Sequence, residues 1–186
     1  MSVADEKAAL RRRLEAVREQ AAAAAPGAAE LVARRFSVPT APAVVAGTFP
    51  MRCELDPRPL MRRLEALGAR LALPRTPRRG SPLTFHLWTA QTQLVTSRFG
   101  VTEPAPDTPH VTPTLVLVPL LAFDRTGARL GYGGGFYDVT LAALRAVGPV
   151  EAIGLAYAAQ EVDRVPTEPH DAPLDGVLTE REALRF

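Results

Sequence analysis

Lysine is almost absent from this chain. Of its 22 basic residues only Lys7 is a lysine, and arginine supplies the rest. Cysteine is equally scarce. Cys53 stands alone, which excludes an internal disulfide and makes the reducing cytoplasm the simplest expected location. No apolar run approaches the ~20 residues that span a bilayer. The first residues are charged rather than leader-like, so neither a membrane span nor a secretory leader is expected. A net charge of only +2 argues against a nucleic-acid-scale basic surface, although the pI is near 9.1. His86, His110 and His170 form no metal-ligand spacing among themselves. Cys53 has no histidine or aspartate at a spacing that would make it a nucleophile, so it reads as structural.

What is present suits one domain over residues 1–186: 47% of the residues are apolar, enough for a sizeable core. A helix is predicted from Asp5 to Ala25, stopped by Pro26-Gly27. Leu10, Leu14, Val17 and Ala21 fall on one stripe of it, and Lys7, Arg11 and Arg18 on the next. By spacing alone a solvated basic face is the favoured reading of those cations, and a polyanion site the other. The single Lys7 is either an accident of composition or a compact ammonium suited to a phosphate.

A strand pattern follows at Ala43–Phe49. Asp56 is a plausible N-cap for a helix carrying Leu60, Leu64 and Leu67, with Pro57 in its first position. Gly68 is suited to end that helix in a left-handed conformation. Arg70–Leu73 reads as a strand. Thr84–Trp88 and Gln93–Thr96 read as short hairpin strands, and Glu103–Pro113 as a loop. A buried strand at Leu115–Val118, a turn at Asp124–Gly127, a helix from Phe136 to Val147, and strands at Glu151–Tyr157 and Gly176–Thr179 complete the pattern. Strands alternating with helices imply an α/β fold, a Rossmann-like and mostly parallel sheet with helices on both faces. Ligands in such folds gather at the carboxyl ends of strands.

The densest signal is Arg129-Leu130-Gly131-Tyr132-Gly133-Gly134-Gly135-Phe136-Tyr137-Asp138. It fits neither the dinucleotide fingerprint, since Phe136 stands where the third glycine belongs, nor the P-loop, which needs Gly-Lys-Ser/Thr. Successive glycines ahead of a helix still let main-chain N–H groups crowd around a phosphate, and Arg129 adds a fork of donors. A flexible turn is the plain alternative. Asp138 either complements the helix dipole or binds a hard cation, with Asp171 as a second carboxylate. Glu54, just past a strand end, reads by default as solvated. Trp88 reads as packing.

Together these segments resemble the 5-formyltetrahydrofolate cyclo-ligase family, over nearly the whole chain. The most specific match is Val118–Asp124, Gly127 and Arg129–Asp138. Lys7-Ala8-Ala9-Leu10-Arg11, Gly47–Leu60 and Val165–Glu180 support it. The resemblance implies an enzyme that uses ATP and Mg2+ to close 5-formyltetrahydrofolate to 5,10-methenyltetrahydrofolate, releasing ADP and phosphate through a phosphorylated formyl group. By matching position it implies ATP contacts from Lys7, Ala8, Ala9, Leu10 and Arg11 and from Arg129 through Tyr137. Folate contacts are implied for Phe49, Glu54, Phe99 and Tyr132–Phe136, with Gly133, Gly134 and Gly135 shared between the ligands. Lys7, Arg129 and Tyr137 are the implied catalytic groups, and Asp138 and Asp171 the Mg2+ ligands. The implied partner is a small-molecule folate, with or without a polyglutamate tail, and neither nucleic acid nor membrane; the chain is expected as a monomer or weak homodimer. Several positions depart from the common pattern: Phe136 for Tyr, Val139 for Arg, Gly134 for Lys, with Thr48 and Cys53 also unusual. A folate- or nucleotide-binding module without turnover, and an RNA-associated protein, stand as rivals from other classes.

Overall fold

A computed structural model describes residues 2–37 and 42–186. Its first helix, α1 (Val3–Ala24), begins at a capping box: Ser2 accepts from the Asp5 N–H while Asp5 accepts from the Ser2 N–H. A second helix, α2 (Ala28–Arg35), follows Gly27 at once. The sequence reading assigned nothing there, because eight residues are too short for a firm apolar period. The chain then alternates: β1 (Val44–Ala46), α3 (Arg58–Ala66), β2 (Arg70–Arg75), β3 (Thr84–Trp88), β4 (Leu94–Thr96), β5 (Thr102–Pro104) and β6 (Leu115–Pro119). A short hairpin of β7 (Ala122–Phe123) and β8 (Arg129–Leu130) leads into α4 (Phe136–Val147). β9 (Glu151–Leu155), β10 (Gly176–Leu178) and β11 (Ala183–Arg185) finish it.

Seven strands make one sheet in the order β11-β10-β9-β6-β1-β2-β3. The five inner strands run parallel, and β3 and β11 close the edges antiparallel. Alternation along each strand sends side chains to opposite faces. Val45, Leu115, Leu117 and Ile153 pack with Val32 of α2 and Leu60 and Leu64 of α3. Val44, Val116, Val118 and Ala152 pack with Leu141 of α4. The expected mostly parallel sheet with helices on both faces is therefore what forms.

A third, smaller cluster decides where the N-terminal helix lies. Leu14 of α1 packs on Leu121, Ala122 and Leu130 of the β7–β8 hairpin and on Val165. That hairpin starts just past the carboxyl end of β6, so α1 is held at the end of the sheet where α/β folds bind ligands. Buried polar groups secure the arrangement. Gln160 donates to the Leu120 and Leu121 carbonyls, and Asp124 accepts from the Val165 and Thr126 N–H groups.

Several local expectations need correction. Thr84–Trp88 and Leu94–Thr96 do not pair with each other: β3 joins β2, and β4 pairs with Thr102–Pro104, which overlaps the start of the stretch read as a loop. Local spacing carries no information about which strand is the partner. Pro57, not Asp56, stands at the N-cap of α3, although Asp56 does accept the Arg58 N–H at 2.9 Å. Leu67 lies beyond α3 and is exposed. Gly68 does take the left-handed conformation, with φ 102°.

Candidate active site

A cleft of about 580 Å3 opens over the carboxyl ends of β1, β2 and β6. Its walls come from parts of the chain far apart in sequence. α1 contributes Lys7, Arg11 and Arg18; the segment after β1 contributes Phe49 and Glu54; the β4–β5 turn contributes Phe99. The run Arg129–Asp138 forms one side, and Glu168–Asp171 closes another.

Lys7, Arg11 and Arg18 sit four and seven residues apart, so one face of α1 presents all three. The solvated reading of this stripe is overturned: Lys7 is 7% exposed and Arg18 only 3%. Burial of Leu14 between them rotates that face inward, which spacing alone did not reveal. Lys7 Nζ lies 2.6 Å from Asp171 Oδ2 and 2.8 Å from Glu168 Oε2. Burial works against its charge, but bonding and attraction to Asp171 and Glu168 prevail and raise its pKa. Burial pushes Asp171 the other way too, yet its bonds to Lys7 and the Glu168 N–H hold its pKa below the ordinary value. Arg11 Nε donates to the Gly131 carbonyl at 2.8 Å. Arg18 Nη1 donates to the Tyr132 hydroxyl and lies 3.9 Å from Glu54 Oε1.

The glycine run bends where only glycine is comfortable. Gly133 has φ 87°, and Gly135 has φ 68° as the N-cap of α4. The bend leaves the first N–H groups of α4 without helical acceptors and facing the loop, an arrangement that attracts anions. Arg129 is buried beside it. Its Nη2 donates to Asp138 Oδ1 at 2.6 Å, while Nη1 has no partner. Burial outweighs the Asp138 attraction and lowers its pKa from an already very high value, so it stays charged. A buried cation with an unused N–H calls for an acceptor.

Asp138 also accepts the Ala172 N–H at 3.1 Å, tying α4 to the segment that carries Asp171. Ligand-capable atoms of Glu168, His170 and Asp171 lie within 4.8 Å of one another. Glu168 and His170 were not among the predicted site residues; the run Glu168-Pro169-His170-Asp171 was the available signal. Asp171 belongs to that cluster of three and Asp138 does not.

At the other end of the cleft, Glu54 is not solvated. Its side chain is 7% exposed and accepts the Met51 N–H at 2.8 Å. Desolvation raises its pKa, against partial opposition from that bond and from Arg18. Phe49 stacks edge-on against Trp88 at 5.6 Å, and Phe99 against Phe136 at 5.9 Å. These apolar walls suit a flat, partly apolar ligand. Desolvation first, then the Glu54 charge, raises the Tyr137 pKa, so its hydroxyl keeps its proton. Ala8, Ala9 and Leu10 do not line the cleft themselves; they carry the turn of α1 between Lys7 and Arg11. Arg18, weighed in the basic stripe but not among the predicted site residues, also lines the cleft.

Among the described residues, no cysteine–histidine or serine–histidine pair lines the cleft. Cations and main-chain donors dominate one end, aromatics and a buried carboxylate the other. Fold and site together define an α/β protein with a two-ended ligand cleft at the carboxyl edge of its sheet. A sequence model of the 5-formyltetrahydrofolate cyclo-ligase family matches residues 3–180. The 5-formyltetrahydrofolate cyclo-ligase of Escherichia coli K12 is 38% identical over 131 residues, 68% of this chain and 71% of that protein. The one from Mycolicibacterium smegmatis is 38% identical over 148 residues, 75% of each chain. The solution structure of Aquifex aeolicus 5,10-methenyltetrahydrofolate synthetase superposes with a TM-score of 0.72 at 26% identity, covering 96% of this chain and 92% of that one. The chain belongs to the 5-formyltetrahydrofolate cyclo-ligase family.

Proposed function

We propose that the protein cyclises 5-formyltetrahydrofolate to 5,10-methenyltetrahydrofolate with ATP as phosphoryl donor, releasing ADP and phosphate. The single observation carrying this reading is the buried, half-unpartnered Arg129 beside the glycine bend, in the same cleft as Lys7.

An amide-like formyl oxygen leaves poorly until it is phosphorylated. In the first step that oxygen attacks the γ-phosphorus, an O–P bond forms, and the bond to ADP breaks with its electron pair going to ADP. In the second, N10 attacks the formyl carbon. The N5 lone pair then expels phosphate, N10 gives up its proton, and the methenyl bridge remains. Phosphoryl transfer of this kind needs alignment and neutralised charge rather than a protein nucleophile.

Lys7 and Arg11, spaced by the α1 turn Ala8-Ala9-Leu10, grip the triphosphate from one side. Arg129 through Tyr137 grip it from the other, with Arg129 Nη1 offering its unused donor. Phe49 and Phe99 hold the pterin by apolar contact, and Glu54 holds it by hydrogen bonds. Tyr132–Phe136 lie between the two ligands. Tyr137, kept protonated, donates rather than acting as a base. The carboxylates fit a hard divalent cation: Asp171 with Glu168 and His170 beside it offers the donor set, and Asp138 lies on the adjoining helix. Mg2+ held there would neutralise charge on the phosphates. Lys7 occupies two of those carboxylates without it, and would turn toward phosphate when the cation takes its place.

Methenyl absorbance should appear only with ATP and Mg2+ together, and chelation should abolish it. No product from a well-folded sample would defeat the reading. Lys7→Ala should weaken ATP about ten- to a hundredfold, the worth of one charge-assisted contact, with far less effect on folate. Calorimetry with each ligand separates the two, and unchanged ATP affinity would refute the assignment.

A further inference from the structure

We propose that Arg18 is a positioning residue: from α1 it joins the Tyr132 hydroxyl of the glycine loop to the Glu54 carboxylate, and so sets the loop's shape against the far end of the cleft. Calling that end the pterin end rests on the function proposed above; the link itself does not.

The geometry is that of a bridge between three elements. Arg18 Nη1 donates to the Tyr132 hydroxyl, and the same nitrogen lies 3.9 Å from Glu54 Oε1. The guanidinium carbon stands 5.3 Å from the centre of the Tyr132 ring, within range of its π-face. Tyr132 itself is 47% exposed, so no packing against the core holds it. α1 has an outer face where arginines are exposed, as Arg12 and Arg13 are. Arg18 is instead buried with Nε lacking any partner, a costly placement for a cation. Arg18 acts through the two side chains it touches. Both contacts run through one nitrogen, whose direction the planar guanidinium fixes and the flexible stem of a lysine does not. Arg11 holds the Gly131 carbonyl separately, so loss of Arg18 frees the Tyr132 part of the loop and not the whole segment.

Hydrogen exchange of the ligand-free protein tests the link without any substrate. In Arg18→Met the amides of residues 132–135 should exchange about tenfold faster, the worth of one lost hydrogen bond, while the body of α4 is unchanged. Arg18→Lys should not restore protection. Tyr132→Phe removes only the hydroxyl, so it tests the same bond even if Arg18→Met fails to fold, and it should loosen the same amides. In turnover, Tyr132→Phe should raise the folate KM severalfold in the native background and add nothing in Arg18→Met. Unchanged loop exchange, equal penalties in both backgrounds, or loosening spread through α1 and α4 alike would each overturn the proposal. Failure to form methenyl product would sink the folate reading and leave the exchange result to stand or fall alone.

Discussion

Glu54 illustrates what burying a carboxylate costs a fold. Burial disfavours its charge, so the folded protein binds the Glu54 proton more tightly than the unfolded chain does. The native pKa is raised, and stability from this group is greatest below the ordinary value of 4.5 and falls as pH rises above it. Glu54→Gln carries no charge to desolvate. It should therefore melt higher than the native protein at pH 7, with the gap closing toward pH 4. The same substitution should weaken folate about tenfold, by loss of a charged acceptor. Thermal melts at the two pH values and a folate titration check both halves. Asp171 has the opposite sign. Its lowered pKa means that its bond to Lys7 stabilises the fold above the ordinary carboxylate value of 3.8 and is lost as pH falls through the native one. Lys7, with its raised pKa, keeps its contribution up to its ordinary value of 10.5 and loses it only above that.

At the scale of elements, the site depends on α1 and on the bend that begins α4. The α4 boundaries, Phe136–Val147, were legible in the sequence because a glycine run and Gly148 bracket a clean apolar period. Gly135 supplies the left-handed N-cap, and a Cβ there would meet open space. Gly135→Ala should thus cost backbone strain alone, about 1 kcal/mol, and Gly135→Asn less. Denaturant unfolding measures the difference. A larger loss of ATP affinity than of stability is expected, since the strain tilts the free amides of the cradle. α1 was legible as a helix but not in its orientation. Lys7, Arg11 and Arg18 formed a visible stripe, and only the docking of Leu14 on the β7–β8 hairpin turns that stripe into the cleft. The β3 and β4 strands were likewise visible singly. Their partners were not, since each pairs across a distance that local pattern does not encode.

Across the whole molecule, the cleft walls come from segments within residues 4–18, 48–54, 74–83, 99–101, 119, 129–138 and 168–171. Ligand bound there stabilises all of these against opening, by about 2.7 kcal/mol at a hundredfold excess over Kd. Exchange protection should rise in α1 and around residues 168–171 when an ATP analogue and folate are added, and not in β11. Protection confined to the glycine loop would contradict a site shared by both ends of the chain. By itself the sequence determined the alternating strands and helices, the glycine bend and the family, because hydrophobic period, turn chemistry and a contiguous motif are local properties. The burial of Arg18 and Glu54, the Lys7 contacts with Glu168 and Asp171, and the unused donor of Arg129 were decided only by the tertiary structure. Each depends on which distant segments exclude water from the same place, and desolvation has no signature in the order of residues along a chain.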